Sequence, residues 1–294
     1  LFSPSVIYDE NRGTPPFCSK GRQAVKGRTL ALEAVDINCD LGEGFGRWRI
    51  GDTEDAALMG LISSANIATG FHAGDPNLMD RTVRMAVEHG VGIGAHPGYN
   101  DLKGFGRRRI DGTARELLND IIYQVGALRE FARRHGASLQ HVKPHGALYM
   151  EMAVNTELSQ LFMTYMQTVA PNAFVFCMSG SATETAALEA GQPVIREFYA
   201  DRDYDDSGSI VFTRDVGRPD PEAIARKVVR ACKEGVVTTV TGTDIKVPFE
   251  SICFHSDTLG AQEIGLAMRE GLKAAGIKII PVSELAKETF RRSA

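Results

Sequence analysis

Short apolar segments alternate with longer amphipathic segments along this chain from residue 35 onward. The short segments have the length and composition of strands buried on both faces, and the long segments have helical spacing. Seven or eight such alternations without a break in composition predict one α/β domain built on a parallel sheet. A (β/α) barrel, seven- or eight-stranded and possibly irregular, fits this pattern best, and an open doubly wound sheet is the alternative. The predicted strands are AVDINCDL, SANIATGFH, GVGIGAHP, LQHVKPHG, AFVFCMSG, PVIREFYAD, ESICFHSD and IKIIPVSEL.

Capping residues mark the ends of the predicted helices. Asp-Pro pairs and Ser/Thr-x-x-Glu capping boxes, both typical of helix starts, occur at Asp75-Pro76, Asp220-Pro221, Thr113/Glu116 and Ser181/Glu184. Glycines that fit helix C-termini are Gly90, Gly136, Gly191, Gly235 and Gly276. The stretch VVTTVTGTDIKVPFESICF alternates apolar and polar residues around Gly242, which predicts a β-hairpin near 236–250. This hairpin is inserted before the seventh predicted strand.

Residues 1–34 do not share the alternating pattern. They lack the continuous apolar segment of a secretory signal, and they contain Asp9 and Glu10, which disfavours a transit peptide. We therefore expect a loosely held N-terminal extension over 1–34 and a single catalytic barrel domain over 35–294.

Composition and charge narrow the classes of function. The chain has 294 residues, is 43% hydrophobic, and carries a formal net charge of −4, so neither nucleic acid nor an anionic membrane surface is an expected partner. No stretch approaches the roughly 18 apolar residues of a membrane span. The cysteines are odd in number, and no pair has CxxC spacing, which predicts reduced thiols in a reducing, cytoplasmic compartment. They are Cys18, Cys39, Cys177, Cys232 and Cys253.

Several predicted strands carry polar residues on one face. Because side chains two residues apart share a face of a strand, these positions align. The aligned sets are Asp36, Asn38 and Asp40; His141, Lys143 and His145; Glu197, Tyr199, Asp201 and Asp203; and Cys253, His255 and Asp257. The apolar faces have to meet the helices, so the polar faces point inward. We therefore expect a polar barrel mouth rich in carboxylates and imidazoles, since such groups cost several kcal/mol each when buried without partners.

Four histidines lie at the carboxyl ends of four different predicted strands. They are His72, His96, His145 and His255. In parallel barrels these strand ends converge on the active site, so four imidazoles from four strands indicate a catalytic rim. By contrast, His89 and His135 follow predicted helices, where an imidazole caps backbone carbonyls, and His141 opens a strand and is ambiguous.

Two kinds of chemistry are compatible with these residues. Asp36, Asp40 and Glu43 lie close enough to repel one another, which raises a carboxyl pKa and suits general acid–base catalysis. Alternatively, acids and imidazoles from neighbouring strands bind a divalent metal such as Zn²⁺, with Asp40, His72 and His96 or His145 as the candidate ligands. Lys143 either faces an anionic substrate or pairs with Asp36 or Asp40.

Other common catalytic motifs are absent from the sequence. There is no GxxxxGK[ST] or GxGxxG motif for a nucleotide and no GxSxG nucleophile elbow. The glycine-rich segments DLGEGFG and DLKGFGRRR are weak anion-binding patterns, and Arg107, Arg108 and Arg109 are expected on a solvated loop.

Six segments together resemble the LamB/YcsF family, to which the A subunit of ATP-hydrolysing 5-oxoprolinase belongs. They are DINCDLGEGFG, SANIATGFHAGDP, GIGAHPGYNDLKGFGRR, VKPHGALY, EFYADRDY and ICFHSDT, in order within residues 35–290. The resemblance implies a barrel like those of glycoside hydrolases and deacetylases. It also implies opening of the 5-oxo-L-proline lactam to L-glutamate at the expense of ATP, together with B and C subunits.

The resemblance also implies which residues form the site. The implied catalytic residues are Asp36, Asp40, Glu43, His72, His96, Lys143, His145, His255 and Asp257. The implied substrate-binding residues are Asn38, Asn66 and Arg202, and Asp75 matches the motif as well. Thr69, Gly44 and Ser256 depart from the usual Cys, Ser and Gly of the family, which removes none of the implied carboxylates, imidazoles or cations.

Three functions are compatible with the sequence. In the first, this chain supplies the hydrolytic acid/His site of the 5-oxoprolinase and the partner subunits bind ATP. In the second, it is a stand-alone metal-dependent, deacetylase-like amidohydrolase. In the third, it is a non-catalytic subunit that binds a lactam or a carbohydrate.

Overall fold

The parallel strands close into a ring. The computed structural model describes residues 31–213 and 217–285. Its strands are β1 (Ala34–Leu41), β2 (Ser64–Ala68), β3 (Gly92–His96), β4 (His141–Val142), β5 (Phe174–Met178), β6 (Val194–Tyr199), β7 (Val236–Thr238), β8 (Asp244–Lys246), β9 (Ser251–His255) and β10 (Lys278–Ile279). Strands β1 to β6 pair in sequence order, β6 pairs with β9, and β9 pairs with β1. The predicted barrel is therefore confirmed as a closed seven-stranded ring, and the open doubly wound alternative is wrong.

The eighth predicted strand contributes little to the barrel. Only the two residues of β10 pair, next to Ala34 and Val35 at the start of β1. The reason is that β9 occupies the same side of β1 from Asp36 to Asp40, which leaves no further backbone groups free for β10. The antiparallel pair β7–β8 comes just before β9 and lies outside the ring.

Helices follow the strands and cover the outside of the ring. They are α1 (Asp55–Met59), α2 (Pro76–His89), α3 (Ala114–Arg134), α4 (Gly146–Val154), α5 (Thr156–Val169), α6 (Ala182–Ala190), α7 (Pro221–Glu234) and α8 (Ala261–Ala274). The predicted N-caps Asp75, Thr113 and Asp220 each accept a hydrogen bond from the first turn. Ser181 also caps α6, but the Glu184 carboxylate binds the backbone N–H of Gly180 rather than completing a capping box. Sequence-encoded caps thus set where most helices begin.

The two faces of β1 have opposite surroundings, as the alternation predicts. Val35, Ile37 and Cys39 are fully buried in the apolar core shared with the helices. The intervening polar positions are equally buried, but their side chains form a hydrogen-bonded network inside the ring. Each fully buried aliphatic side chain contributes about 2 kcal/mol to stability, so this core fixes which face of the strand turns inward.

A layer of hydroxyl groups surrounds Asp36 near the amino end of the barrel. Ser63 and Ser64 donate to Oδ1 at 2.6 and 2.8 Å, and Ser251 donates to Oδ2. Burial raises the pKa of Asp36 to about 6, although the three serine hydrogen bonds oppose the shift. Hydrogen bonding therefore satisfies this carboxyl group without a cation.

The next layer consists of amides and one imidazole. Asn66 donates to Asn38 Oδ1 at 2.8 Å and accepts from His141 Nε2 at 2.7 Å. Burial lowers the pKa of His141 to about 3, so the ring is neutral in this layer. His141, which was ambiguous in the sequence, thus belongs to the barrel interior below the mouth.

The described cysteines Cys39, Cys177, Cys232 and Cys253 are buried, unpaired thiols. The fifth cysteine, Cys18, and residues 1–30 of the predicted extension lie outside the described residues. Within the part of the chain that the structure describes, no helix is both long enough and apolar enough to cross a membrane.

Candidate active site

The carboxyl ends of the strands surround a pocket lined by charged side chains. Its charged and titratable lining residues are Asp40, His96, Arg107, Lys143, His145, Arg202 and His255. They come from five different strand ends or the loops that follow them. The predicted polar mouth is therefore present, and six of the twelve proposed catalytic and substrate-binding residues line it.

Three imidazoles form a tight cluster at this mouth. The rings of His72 and His145 are stacked, with centroids 3.7 Å apart and planes inclined by 4°. His96 lies edge-on to both rings. The Glu43 carboxylate joins them, with Oε1 3.2 Å from His72 Nε2 and 3.3 Å from His145 Nδ1. Burial lowers the pKa of both stacked rings well below the usual range.

Backbone carbonyls fix the tautomers of two of these rings. His96 Nδ1 is 2.7 Å from the Lys143 carbonyl oxygen, and His145 Nε2 is 2.8 Å from the Phe105 carbonyl oxygen. Because a carbonyl only accepts, each of these nitrogens carries the hydrogen. The remaining nitrogens, His96 Nε2 and His145 Nδ1, then face each other at 2.9 Å. Two lone pairs at this distance repel, so the arrangement requires a positive group between them, either a shared proton or a cation.

The loop after β3 shapes the cluster. Phe105 has φ +53°, and among the described residues it is the one non-glycine residue with positive φ. This conformation aims its carbonyl at His145. At Gly106, φ is +62°, and a Cβ atom would lie 2.6 Å from His72 Cβ and 2.9 Å from His145 Cδ2. Only glycine fits there, because the backbone turns left-handed and packs directly against the stacked imidazoles.

The two carboxylates of the mouth have opposite pKa shifts. Burial would raise the pKa of Asp40, yet His96 and Lys143 hold it well below the usual range. Burial, reinforced by Asp40 and Asp257, raises the pKa of Glu43 well above it. The sequence predicted one raised carboxyl pKa from charge repulsion, and in the structure burial is the larger cause. When the pKa values of two neighbouring carboxyl groups are shifted in opposite directions, one group stays ionised and the other can carry a proton.

Lys143 is the buried cation of the site. Its Nζ lies 3.0 Å from Asp40 Oδ1, 3.1 Å from Glu197 Oε1 and 2.9 Å from Cys253 Sγ. Burial alone would lower the pKa of Lys143, but Asp40, Cys253 and Glu197 hold it well above the usual range. Of the two roles considered from the sequence, the pairing with Asp40 is thus the one that the structure contains.

His255 is oriented by a residue to which the sequence analysis gave no role. Its Nδ1 lies 2.9 Å from Asp201 Oδ1, which leaves Nε2 facing Asp40 Oδ2 at 3.7 Å. Burial would raise the pKa of Asp201, but Arg202 and His255 hold it far below the usual range. Asp201 and Glu197 belong to the aligned polar face of EFYADRDY, and that alignment was the signal that could have identified both.

Arg107 corrects one expectation from the sequence. It was expected on a solvated loop, but its side chain is only 9% exposed and its Nη2 is 2.6 Å from Asp257 Oδ2. Its guanidinium also lies over the Phe105 ring, 5.0 Å from the centroid. The expectation holds for its neighbours, since Arg108 and Arg109 are more than half exposed. The bent loop at Phe105 and Gly106 explains the difference.

Four residues of the mouth could hold a metal ion. One ligand atom from each of Glu43, His72, His96 and His145 lies within 4.8 Å of the others. Zn–N bonds of about 2.0–2.1 Å in a tetrahedron place ligand atoms about 3.3 Å apart, close to the separations found here. The donor set therefore fits a borderline metal such as Zn²⁺. Asp40, a candidate ligand from the sequence, lies beside this group and is engaged by Lys143.

Not all predicted site residues reach the pocket. Asp36, Asn38 and Asn66 are fully buried in the layers below it. Asp75 caps α2 through the backbone N–H groups of Asn77 and Leu78. The residues brought together at the mouth are Asp40, Glu43, His72, His96, Lys143, His145, Arg202, His255 and Asp257.

The three departures from the family pattern lie next to these residues. Thr69 donates to the His96 carbonyl oxygen at 3.1 Å, and Ser256 contacts Glu43 at 3.5 Å. At Gly44, a Cβ atom would lie 2.7 Å from the Trp48 carbonyl oxygen, which leaves little room for a side chain. These positions touch the catalytic groups without replacing any of them.

Comparisons with known proteins give a consistent result. The sequence matches the LamB/YcsF family over residues 35–287. It is 62% identical to a 5-oxoprolinase A subunit of Pseudomonas aeruginosa over 248 residues, which are 84% of this chain and 98% of that protein. Identity to a 5-oxoprolinase A subunit of Pseudomonas putida is 57% over the same shares of both chains. The crystal structure of a lactam utilization protein from Thermus thermophilus superposes with a TM-score of 0.75 at 36% identity, covering 84% of this chain and 98% of that one.

Proposed function

The chain belongs to the LamB/YcsF family, and from this premise we propose that it is the A subunit of an ATP-dependent 5-oxoprolinase. In this function it contributes the hydrolytic site that opens the lactam of 5-oxo-L-proline to give L-glutamate. The observation that supports the proposal most directly is the contact of Glu43 and Asp40 with three imidazoles at the carboxyl end of the barrel. A lactam is a stable amide, and its hydrolysis needs groups that add and remove protons around the amide carbon.

The chemistry divides naturally into two steps. In the first, the γ-phosphoryl group of ATP is transferred to the amide oxygen, which makes the ring carbon electrophilic and releases ADP. In the second, water adds to that carbon, and the C–N bond breaks as the ring nitrogen takes up a proton, which leaves an acyl phosphate. A second water cleaves the acyl phosphate to the new carboxylate and inorganic phosphate, so two waters are consumed. The second step is the one that the acid and imidazole groups of this chain suit.

Individual roles follow from the contacts. Glu43, which touches His72 and His145, receives the proton of the attacking water. Asp40 stays ionised beside Lys143 and holds His96 in place. His255, oriented by Asp201, faces the same Asp40 carboxylate from the end of β9. The Lys143 ammonium stabilises the oxyanion that develops as water adds.

The first step belongs to partner subunits in this proposal. The full sequence contains no P-loop and no GxGxxG motif, so it offers no recognised cradle for the phosphates of ATP. The related proteins are named as A subunits, which implies an assembly with further subunits. We assign ATP binding to the B and C subunits. The four described cysteines are reduced thiols, which supports a cytoplasmic location.

A reconstitution experiment tests this function. Release of glutamate from 5-oxoproline is measured with Mg-ATP, using this chain, the B and C subunits, and the complete mixture. We expect turnover only in the complete mixture. The matched control replaces this chain with the A subunit native to the same B and C subunits. If that control is active and mixtures containing this chain are not, the proposal is wrong. ATP hydrolysis by this chain alone, dependent on 5-oxoproline, would contradict the division of labour.

A metal-dependent amidohydrolase is the second candidate function, and the four-residue group at the mouth favours it. Glu43, His72, His96 and His145 would hold the ion, with backbone carbonyls orienting His96 and His145. The ion would polarise the amide and lower the pKa of bound water. This candidate requires one tightly bound metal per chain and hydrolysis of an N-acyl substrate without ATP.

A further inference from the structure

Two buried arginines, each paired with an aspartate, line one side of the pocket. Arg107 Nη2 is 2.6 Å from Asp257 Oδ2, and Arg202 Nη1 is 2.9 Å from Asp201 Oδ2. The two arginine side chains are 9% and 6% exposed, so both cations are almost removed from water. Both line the same pocket as Asp40, His96 and His145. Removal of two guanidinium groups from water costs solvation free energy. Their burial at the wall of a pocket therefore indicates an anionic ligand.

Between these arginines, one hydrogen-bond donor and one hydrogen-bond acceptor lack a well-placed partner. Arg202 Nη2 approaches Asp257 Oδ1 only to 3.7 Å, which is too long for a hydrogen bond. Within the described residues, Asp257 Oδ1 is buried and has no hydrogen-bond partner. A buried acceptor without a partner costs about 1–3 kcal/mol, which a ligand with a matching donor would recover. The wall of the pocket thus offers N–H donors, and the unsatisfied Asp257 oxygen lies 3.7 Å from one of them.

This pattern matches one part of the proposed substrate. In 5-oxoproline, a carboxylate is attached to the carbon next to the ring N–H. The planar N–H groups of arginine bind a carboxylate in a paired geometry, and the carboxylate of an aspartate accepts from an N–H. After the ring opens, the same atoms become the α-carboxylate and α-amino group of glutamate, which the same three side chains complement equally well.

We propose that Arg107, Arg202 and Asp257 form a subsite for the carboxylate and the neighbouring N–H of an α-amino-acid lactam. This inference rests on the proposed function and adds the source of its specificity. The subsite anchors the substrate by its charged end, so that the amide carbon faces Glu43 and the imidazoles. Arg107 was not among the residues implied by the sequence, and it is the specificity-determining residue of the subsite.

Kinetics of the reconstituted assembly test the subsite. The Michaelis constant for 5-oxoproline is compared with the inhibition constant of 2-pyrrolidinone, which is the same lactam without a carboxylate. In Arg107→Gln we expect KM for 5-oxoproline to rise roughly 10- to 100-fold, because a charge-assisted hydrogen bond is lost. The inhibition constant of 2-pyrrolidinone should stay unchanged. Arg109→Gln is the matched control, since Arg109 is 58% exposed and pairs with Glu151 instead.

Further variants keep the test decisive. Arg107→Lys preserves the charge without the planar donors, so its KM for 5-oxoproline should lie between those of the wild type and Arg107→Gln. If Arg107→Gln does not fold, Arg107→Lys takes its place in the test. An unchanged KM in both Arg107 variants, or equal weakening of 5-oxoproline and 2-pyrrolidinone, overturns the subsite. If the wild-type assembly releases no glutamate, the proposed function fails instead. In that case, the dissociation constants of 5-oxoproline and 2-pyrrolidinone are measured by calorimetry with the full chain, for the wild type and the Arg107 variants.

Discussion

His96 and His145 approach each other through ring nitrogens 2.9 Å apart, while the second nitrogen of each ring donates to a backbone carbonyl. The pair therefore cannot relieve its contact by changing tautomer, because either change would point a lone pair at a carbonyl oxygen. A positive group between the rings is needed, and Glu43 and Asp40 lie beside it to balance the charge. Both candidate functions proposed above depend on this arrangement.

Removal of the proton-carrying carboxyl group should abolish most of the activity. In Glu43→Gln the side chain keeps its shape but cannot accept a proton, so we expect kcat for glutamate release to fall about 10²- to 10⁴-fold. KM for 5-oxoproline should change little. Glu54→Gln is the control, because Glu54 follows in the same loop and is 68% exposed. Equal kcat values in the two variants would remove Glu43 from the mechanism.

Metal analysis separates the two candidate functions. The metal-dependent amidohydrolase requires one equivalent of metal in the purified chain and loses its activity on treatment with a chelator. In the lactam-opening proposal a shared proton fills the gap between His96 and His145. We then expect a chain that has been treated with chelator and dialysed to regain full glutamate release with the partner subunits and Mg-ATP. Restoration of activity only by Zn²⁺ or another borderline metal would favour the alternative.

A single methyl group should disturb the imidazole cluster. In Gly106→Ala the new Cβ would lie 2.6 Å from His72, so the stacked rings must shift and glutamate release should fall sharply. Gly136→Ala is a matched control, since it has φ +71° but no atom within 4 Å of the added Cβ. Both variants should lose roughly 1–2 kcal/mol of stability from the left-handed backbone. If thermal unfolding and activity change equally in both, the close contact at Gly106 has no functional meaning.

Asp36 should give the barrel a distinctive dependence of stability on pH. Burial raises its pKa from 3.8 to about 6, so the folded state favours the protonated carboxyl group. Its contribution to stability is complete below the unfolded pKa and is lost as pH rises through the folded value. From pH 4 to pH 7 the loss is about 2 kcal/mol, because each unit of pKa difference corresponds to about 1.36 kcal/mol and a part is already lost at pH 4.

The Asp36→Asn variant tests this linkage. Asparagine cannot ionise, so the unfolding free energy measured by urea denaturation should fall less across the same pH range. Any loss of serine hydrogen bonds shifts the whole curve without changing its slope. Asp111→Asn, at a side chain that is 98% exposed, should keep the wild-type slope. A wild-type slope in Asp36→Asn would show that Asp36 is already ionised in the folded protein at pH 4.

Much of the fold and the convergence of the site could be predicted from local patterns. The period of two along AVDINCDL separated the core face from the interior face, because one strand residue in two must turn each way. The meeting of His72, His96 and His145 followed from their positions at strand ends. The number of strands in the barrel could not be predicted, because a ring closes through pairing between segments that are far apart in the sequence. In the structure, the pairing of β9 with β1 closes the ring at seven strands.

The role of Arg107 was missed in the sequence because its position depends on the path of a loop. Arg107 turns into the pocket only because Phe105 and Gly106 adopt left-handed backbone conformations. The sequence does not show a positive φ at a phenylalanine, because the strain is imposed by tertiary contacts. Likewise, Glu43 contacts the stacked rings of His72 and His145, whereas Asp40 lies between His96 and Lys143.

Every one of the seven barrel strands is hydrogen-bonded on both sides. A second protein therefore cannot extend this sheet by adding a strand of its own to the ring, which is a common mode of association for open sheets. Contact of another subunit with the barrel itself must rely on side chains of its helices and loops. If contact is made at the carboxyl end of the barrel, the arriving protein would form the roof of the reaction chamber and could deliver an activated substrate without releasing it to bulk water.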